Sequence, residues 1–251
     1  MPSDGFGQRS YDIVGGRGIA GPYDDSRAPD GAPVPLFMYA SWTPPTLITS
    51  LAAQHTIEWA KDRGWRPVEM VGIGANRLRF LRAMRWLQTD TQPPHLLVYM
   101  GHGFPGSWLG NDFPPSPHKP KMLAAGQNDH LLEGAICWSI ACYSRRVLGP
   151  SAIDKGALAF GGSVEQMLVG GFERHRSFVP DFADTFSIAV KALLAGRTVD
   201  EALRAQQDRI RYYLGIYARH LDWPGVKDYI DAMRMNLAHY DAIGDLNTRL
   251  Y

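Results

Sequence analysis

Two segments of the sequence carry residue types that can do nucleophilic chemistry. Residues 95–103 are a run of mostly apolar side chains that ends in His102 and Gly103, and residues 134–144 are a second such run with Cys142 near its end. A thiol attacks a carbonyl carbon as its thiolate, and a neighbouring imidazole can take the thiol proton and later protonate the leaving amine. These two residue types together predict a thiol hydrolase.

The two segments also predict where the two side chains lie. Short continuous apolar runs bounded by turn residues are typical of buried strands in a parallel sheet. The carboxyl ends of such strands line the ligand crevice of an α/β fold. We therefore expect His102 and Cys142 to meet in that crevice. Cys137 stands in the middle of the second run and is expected in the core.

The residues beside the pair predict an oxyanion site. Gly103 lets the backbone approach a substrate closely, and its N–H can donate to an oxyanion, with the N–H of Cys142 as the second donor. For each residue alone the alternative is a structural role, because a histidine at a strand end is commonly a packing residue and a free cysteine is among the most buried residue types. Their joint position at the ends of successive strands favours function.

Strands alternate with helices along the rest of the chain. The hydrophobic periodicity predicts strands over residues 35–40, 67–71, 95–100, 135–141 and 157–160, and helices over 46–63, 76–88, 182–195, 198–217 and 226–239. Residues 147–155 are predicted to form a short helix or a turn. Gly196 is expected to end one helix, and Thr198 with Glu201 to form a capping box for the next. Residues 104–130, rich in Pro and Gly, predict a long loop, and residues 242–251 a last short strand. This order predicts an α/β fold with a mostly parallel central sheet and helices on both faces.

Length and composition predict the domain organisation and exclude some partners. The 251 residues favour a single domain over residues 34–251, preceded by a flexible arm, residues 1–33, that is rich in Gly, Pro, Asp and Ser. The net charge of +1, from 26 basic and 25 acidic residues, disfavours a nucleic-acid-binding protein. Four arginines have the spacing of a solvated helix face: Arg77, Arg79, Arg82 and Arg85.

Metal, cofactor and membrane signals are absent from the sequence. There is no zinc-ligand pattern of Cys and His pairs, so we expect no metal and no cofactor. There is no signal-peptide pattern and no run of about 18 apolar residues, so we expect a cytoplasmic protein without membrane contact.

The two segments resemble the His-Gly and Ala-Cys signatures of the clan CD cysteine peptidases, the caspase and gingipain-like superfamily that includes the bacterial CHAT domains. Residues 149–163, 192–203 and 243–250 resemble, in turn, the segment after the cysteine, the next helix pair and the tail of these proteins. Leu246 stands where that tail usually has Pro. The similarity covers roughly residues 34–251.

The resemblance implies a caspase-like three-layer α/β sandwich and a cysteine endopeptidase that works through a thioester acyl-enzyme. It implies His102 as general base and acid, Cys142 as nucleophile, and Gly103 with the Cys142 amide as oxyanion donors. It also implies that four residues partly wall the specificity pocket: Ser163, Val164, Glu165 and Gln166.

One departure from the family bears on specificity. Some members specific for basic residues carry an acidic residue two positions before the cysteine, where this chain has Ile140. Glu165 is a candidate for an acidic wall and equally for a solvated loop residue. Asp112, Asp129 and Glu133, in or near the long loop, are weaker candidates.

Three functional hypotheses follow from the sequence. The first is an endopeptidase that cleaves a protein or peptide substrate. Its restraint is expected from the N-terminal arm or from the proline-rich loop, and a regulatory protein partner is a separate expectation. The second is a catalytically silent interaction module with the caspase fold. The usual mark of such a module is loss of His102 or Cys142, and both are present. The third is a flavodoxin-like ligand binder without covalent chemistry.

Overall fold

The computed structural model describes residues 23, 25–40, 44–110, 121–168 and 178–251. The strands in these ranges are β1 (Leu36–Tyr39), β2 (Val68–Val71), β3 (His95–Met100), β4 (Gly103–Phe104), β5 (Ser107–Leu109), β6 (Lys121–Ala124), β7 (Ala135–Ile140), β8 (Ala159–Ser163) and β9 (Tyr240–Gly244). The α-helices are α1 (Pro44–Lys61), α2 (Arg77–Asp90), α3 (Leu148–Asp154), α4 (Val179–Leu194), α5 (Val199–Tyr217) and α6 (Val226–His239).

Six of the strands form one mixed sheet in the order β2-β1-β3-β7-β8-β9. Neighbouring strands are parallel from β2 to β8, and β9 at the edge runs antiparallel to β8. The strand order changes direction at β1, which has β2 on one side and β3 on the other. In an open parallel sheet such a switch point leaves a crevice beyond the carboxyl ends of the strands. The predicted α/β fold with a mostly parallel sheet is confirmed.

Helices cover both faces of this sheet, because successive side chains of each buried strand point to opposite faces. In β7, Ile136, Trp138 and Ile140 join one hydrophobic core, and Ala135 and Cys137 join the other. Residues of α1, α4, α5 and α6 close the first core, and residues of α2, α3 and a second, smaller sheet close the other. The full burial of Cys137 confirms its predicted place in the core.

Local signals define where several helices begin and end. The Thr198 hydroxyl accepts the Glu201 N–H at 3.1 Å, and the Glu201 carboxylate accepts the Thr198 N–H at 2.8 Å, which confirms the predicted capping box of α5. Gly196, with φ of 74°, turns the chain between α4 and α5, as predicted. At the start of α2 the Asn76 side chain accepts the Arg79 N–H at 3.0 Å.

The segment predicted as a long loop, residues 104–130, contains regular structure, so that prediction is wrong over its described part. Strands β4, β5 and β6 form a three-stranded antiparallel sheet, and a 3-10 turn follows over Asp129–Leu132. Trp108 of β5 is fully buried and stacks on Tyr99, with 4.8 Å between ring centroids. Strands of two to four residues give no periodic signal, and the Pro and Gly between them dominate the pattern. Residues 111–120 lie outside the described residues.

The last strand is earlier and shorter than the predicted 242–251. β9 follows α6 directly, begins at Tyr240 and ends at Gly244. Its pairing with β8 sets this position. Gly244 has φ of 95°, and a Cβ there would lie 2.4 Å from the Leu158 carbonyl oxygen, so the strand ends at a residue that must be glycine.

The predicted flexible arm, residues 1–33, lies partly outside the described residues. Its described residues are 23 and 25–33, and several of them contact the domain. The Ala28 N–H donates to the Arg63 carbonyl at 2.8 Å, and the side chains of Tyr23 and Ala28 pack against the first core.

The glycine that faces Trp138 generates a stability prediction. A Cβ at Gly161 would lie 2.5 Å from the ring of Trp138, which is fully buried. Gly161→Ala is therefore expected to lower the free energy of unfolding by about 1–3 kcal/mol. Gly215 in α5 has no heavy atom within 4 Å of a Cβ, so Gly215→Ala is expected to raise it by about 0.5–1 kcal/mol. Urea unfolding measures both, and effects of the same sign would contradict this account.

Candidate active site

The parallel register of β3 and β7 brings the two predicted residues to one place. Met100 at the end of β3 is paired with Ile140 at the end of β7. The Gly101 N–H continues the ladder by donating to the Ile140 carbonyl at 3.1 Å. His102 and Cys142 each lie two residues beyond these strand ends. Both residues therefore lie just beyond the carboxyl edge of the sheet, at the same level along the strands.

Both residues line one pocket at this edge. The pocket has a volume of about 50 Å³, and its lining residues are Thr46, Thr49, Gly101, His102, Ile140, Ala141, Cys142, Met167 and Phe186. Thr46 and Thr49 belong to α1, which follows β1, and Phe186 belongs to α4. The pocket thus lies beyond the carboxyl ends of β3 and β7 and against α1, next to the switch point at β1, in the region where open α/β sheets bind their ligands.

Gly103 packs directly against the backbone of the cysteine. A Cβ at this position would lie 2.4 Å from the Cys142 carbonyl oxygen and 3.0 Å from the Ala141 Cβ. Such a close approach between two backbone segments requires glycine. The two residues predicted to supply the oxyanion donors, Gly103 and Cys142, are therefore side by side.

A buried tyrosine fixes the backbone of His102. The Tyr99 hydroxyl lies 2.6 Å from the His102 carbonyl oxygen and 2.9 Å from the Leu109 carbonyl oxygen, and these two acceptors share its one proton. The Leu109 N–H also donates to the His102 carbonyl, at 3.1 Å. Gly101 leaves room for this hydroxyl, since a Cβ there would lie 2.8 Å from it. Sequence reasoning missed Tyr99, although a hydroxyl inside an apolar run was the available signal.

The turn after Cys142 has an uncommon backbone conformation. Tyr143 has φ of 55°, in the left-handed region that residues other than glycine rarely adopt. Its N–H donates to the Glu165 carbonyl at 2.9 Å, and the Arg145 N–H donates to the Ser163 carbonyl at 3.0 Å. Strained residues persist where surrounding contacts hold them. These two hydrogen bonds tie the cysteine turn to the loop after β8.

The same loop is held from its other side by α6. The Asn236 side chain donates to the Leu168 carbonyl at 2.9 Å and accepts the Leu168 N–H at 3.0 Å. Met167, one residue earlier, lines the pocket, and its carbonyl accepts a weak hydrogen bond from the Cys142 thiol at 3.8 Å. Sequence reasoning missed Asn236 and Met167, because their contacts join segments that no local pattern connects.

The start of this loop holds the four residues predicted to wall the specificity pocket: Ser163, Val164, Glu165 and Gln166. Ser163 is buried, and its hydroxyl donates to the Glu165 carbonyl at 2.9 Å. The Glu165 carboxylate lies 4.0 Å from the Arg146 guanidinium at the surface. Gln166 is exposed, and Met167 is the next residue and lines the pocket. None of the four predicted wall residues is among the described residues that line this pocket.

Burial disfavours the thiolate form of Cys142. Desolvation raises its pKa above the ordinary value of 9.0, and backbone hydrogen bonds at Met167 and Cys142 act in the opposite direction. Cys137 is completely buried, and desolvation raises its pKa much further. Attack by Cys142 therefore needs a base that takes the proton as the new bond forms. His102, in the same pocket, has the chemistry for that role.

Asp129 and Glu133, the two weaker acidic candidates that the structure describes, do not line this pocket. Asp129 is buried, and its carboxylate accepts a short hydrogen bond from the Ser151 hydroxyl. Glu133 packs beside Gly156. Asp112 lies outside the described residues. Within the described ranges, no group of three or more His, Cys, Asp or Glu residues is placed to hold a metal ion.

Comparisons with protein-family models, with curated proteins and with solved structures find no match for this chain. Fold and site therefore define its class: an α/β protein in which His102, Gly103 and Cys142 meet at the carboxyl edge of a mostly parallel sheet. Among the helices that the structure describes, none combines the length and the apolar character needed to cross a membrane.

The unequal burial of the two cysteines predicts selective alkylation. Iodoacetamide is expected to modify Cys142 but not Cys137 in the folded protein, and both after denaturation. Because burial raises the pKa of Cys142 above 9.0, its thiolate fraction near neutrality is lower than that of an unperturbed thiol. The rate should then rise about tenfold per pH unit from pH 7 to pH 9. Peptide mass spectrometry measures it, and a plateau below pH 8 would instead indicate a thiolate–imidazolium pair.

Proposed function

We propose that the protein is a cysteine endopeptidase with a caspase-like fold, in which Cys142 is the nucleophile and His102 the general base and acid. One observation carries the proposal. The two side chains line the same pocket at the carboxyl edge of the sheet, beside a glycine, Gly103, that packs against the Cys142 carbonyl.

The proposed reaction proceeds through a thioester. The Cys142 sulfur attacks the carbonyl carbon of a peptide bond as His102 takes the thiol proton. The backbone N–H groups of Gly103 and Cys142 stabilise the charge that forms on the carbonyl oxygen. His102 then protonates the leaving amine, the C–N bond breaks, and water hydrolyses the thioester and restores the thiol. The raised pKa of Cys142 supports proton removal during the attack instead of before it.

The fold and the pocket wall support two further parts of the proposal. A mostly parallel sheet between two helical layers is compatible with the caspase-like sandwich that the sequence resemblance implies. Ile140 lines the pocket with an apolar side chain, in the position where some relatives specific for basic residues carry an acid. This disfavours recognition of Arg or Lys before the cleaved bond through an acid at this position, and Glu165 stays the alternative source of an acidic wall.

Cleavage of a proteome-derived peptide mixture tests the proposed function. The wild type is expected to generate new termini, read by mass spectrometry, and Cys142→Ala and His102→Ala are expected to generate none. Cys137→Ala is the matched control, since it removes a thiol that lies in the core and outside the pocket. It should cleave the same peptides as the wild type.

Two results would speak against a peptidase. Equal cleavage by the wild type and by Cys142→Ala would assign the activity to a contaminant. Absence of cleavage, together with no labelling of Cys142 by peptides carrying a thiol-directed warhead, would favour the alternative of a catalytically silent interaction module with the same fold.

Tyr99 is expected to act in this reaction as a positioning residue for His102. Tyr99→Phe keeps the ring and removes the hydroxyl whose proton the His102 and Leu109 carbonyls share. We expect a loss of about 1 kcal/mol in stability and a fall in kcat of about 10- to 100-fold with little change in KM. Tyr240→Phe is the control, because its buried hydroxyl donates to the Ser139 carbonyl at 3.2 Å, away from His102. Equal falls in kcat for both variants would make the role of Tyr99 merely structural.

A further inference from the structure

Helix α2 carries its charges in an order that opposes its own stability. Its exposed basic side chains are Arg77, Arg79, Arg82 and Arg85. Its acidic residue is the last one, Asp90, and its first turn has none. A helix dipole favours acidic side chains near the N-terminus and basic ones near the C-terminus. Two of the arginines lie in the first turn, so this order is reversed in α2.

The arginines of α2 also lie next to one another on the helix surface, with no acidic side chain between them to offset their positive charge. Arg79, Arg82 and Arg85 follow at intervals of three residues, a spacing that makes like charges neighbours on a helix and destabilises it. Among the described residues, no carboxylate forms an ion pair with them.

Helix α5 shows the opposite arrangement. Its exposed Arg204 pairs with Asp200 at 2.8 Å, and its exposed Arg211 pairs with Asp208 at 2.7 Å. Both pairs lie within one turn of the same helix, the spacing that stabilises helices. The uncompensated charge is therefore a property of α2 and is not shared by the other arginine-rich helix.

Two large apolar side chains share this face of α2. Leu78 is 58% exposed and Trp86 is 38% exposed. Leu78, Arg82, Arg85 and Trp86 stand at positions i, i+4, i+7 and i+8, which form one stripe of a helix. The opposite stripe is the one that packs on the sheet, with Phe80, Met84 and Leu87 buried.

We propose that this outer face of α2 (Leu78, Arg82, Arg85 and Trp86) docks an acidic segment of a partner protein. Guanidinium groups bind carboxylates through paired hydrogen bonds, which would supply the charge that the helix lacks. Leu78 and Trp86 lie about 12 Å apart along the axis and provide apolar anchors at the two ends. Trp and Arg are among the residues most enriched where binding energy concentrates in protein interfaces.

Two other anionic partners fit this face less well. A nucleic acid is held by a basic excess over an extended surface, whereas this chain has a net charge of only +1. A membrane-bound helix collects its apolar side chains on one side and its basic ones on the other. In α2 the guanidinium groups of Arg82 and Arg85 come between Leu78 and Trp86 in the stripe.

Selection from a displayed library of random 12-residue peptides tests the proposal. The bait is the full chain with Cys142→Ala, so that the proposed peptidase cannot cut the peptides. We expect enrichment of peptides with several Asp or Glu residues and at least one large apolar side chain. Labelled copies of these peptides should bind at least about tenfold more weakly to bait that also carries Arg82→Glu and Arg85→Glu.

A matched control makes the same change of net charge on another helix, α5. Bait with Arg204→Glu and Arg211→Glu alters two exposed arginines of α5 and should bind the peptides like the parent. Leu78→Ala with Trp86→Ala should also weaken binding, without any change of charge. The α2 charge reversals relieve repulsion between arginines, so their helix should form, and circular dichroism verifies this.

The proposal is overturned if acidic peptides are not enriched, or if they bind the α2 charge-reversal bait as tightly as the parent. Oligouridylate and vesicles containing phosphatidylserine are tested against the same baits. If one of them binds more tightly than the acidic peptides, and Arg82→Glu with Arg85→Glu abolishes that binding, the face is assigned to nucleic acid or to a membrane. All these measurements concern binding in an inactive background. Their outcome is therefore independent of whether the protein proves to be a peptidase.

Discussion

The candidate site depends on the register of two fully buried strands. Every residue of β3 and β7 is buried, and side chains alternate between two cores. A slip of one residue would move each side chain to the opposite face, for example turning Trp138 towards the core that now holds Cys137. Hydrophobic burial on both faces therefore fixes the register. The register, in turn, makes both strands end at the same level, with His102 and Cys142 beyond them.

Main-chain contacts hold this site in place. Tyr99 donates to the carbonyl of His102, Tyr143 donates to the carbonyl of Glu165, and Asn236 binds both backbone groups of Leu168. Anchoring through the backbone leaves the geometry of the pocket insensitive to side-chain rotamers elsewhere on its rim. The same tight packing removes water from the Cys142 thiol and raises its pKa. If Cys142 is the nucleophile, as proposed, its partial burial is the reason that it needs a base.

Local and periodic signals explain which features could be predicted from the sequence. The buried strands, the capping box at Thr198 and the core position of Cys137 follow from residue patterns over short windows. The small sheet around Trp108 could not be predicted, because its strands are too short for a period and their stability comes from packing on Tyr99. The part of Asn236 in shaping the pocket depends on pairing with Leu168, 68 residues away in the chain. Such contacts exist only once the sheet has brought the segments together.

The places where the chain departs from local preferences are informative in themselves. Within the described residues, the left-handed backbone region is occupied by glycines with one exception, Tyr143, directly after the proposed nucleophile. Helix α5 follows the rules of capping and charge pairing, whereas α2 opposes them with its arginines. In natural sequences the local preferences of each segment mostly agree with the overall fold, and they disagree where function requires it. Two such departures, one at the pocket edge and one on a solvent-facing helix, coincide with the proposed catalytic site and the proposed docking face, and they have separate physical origins.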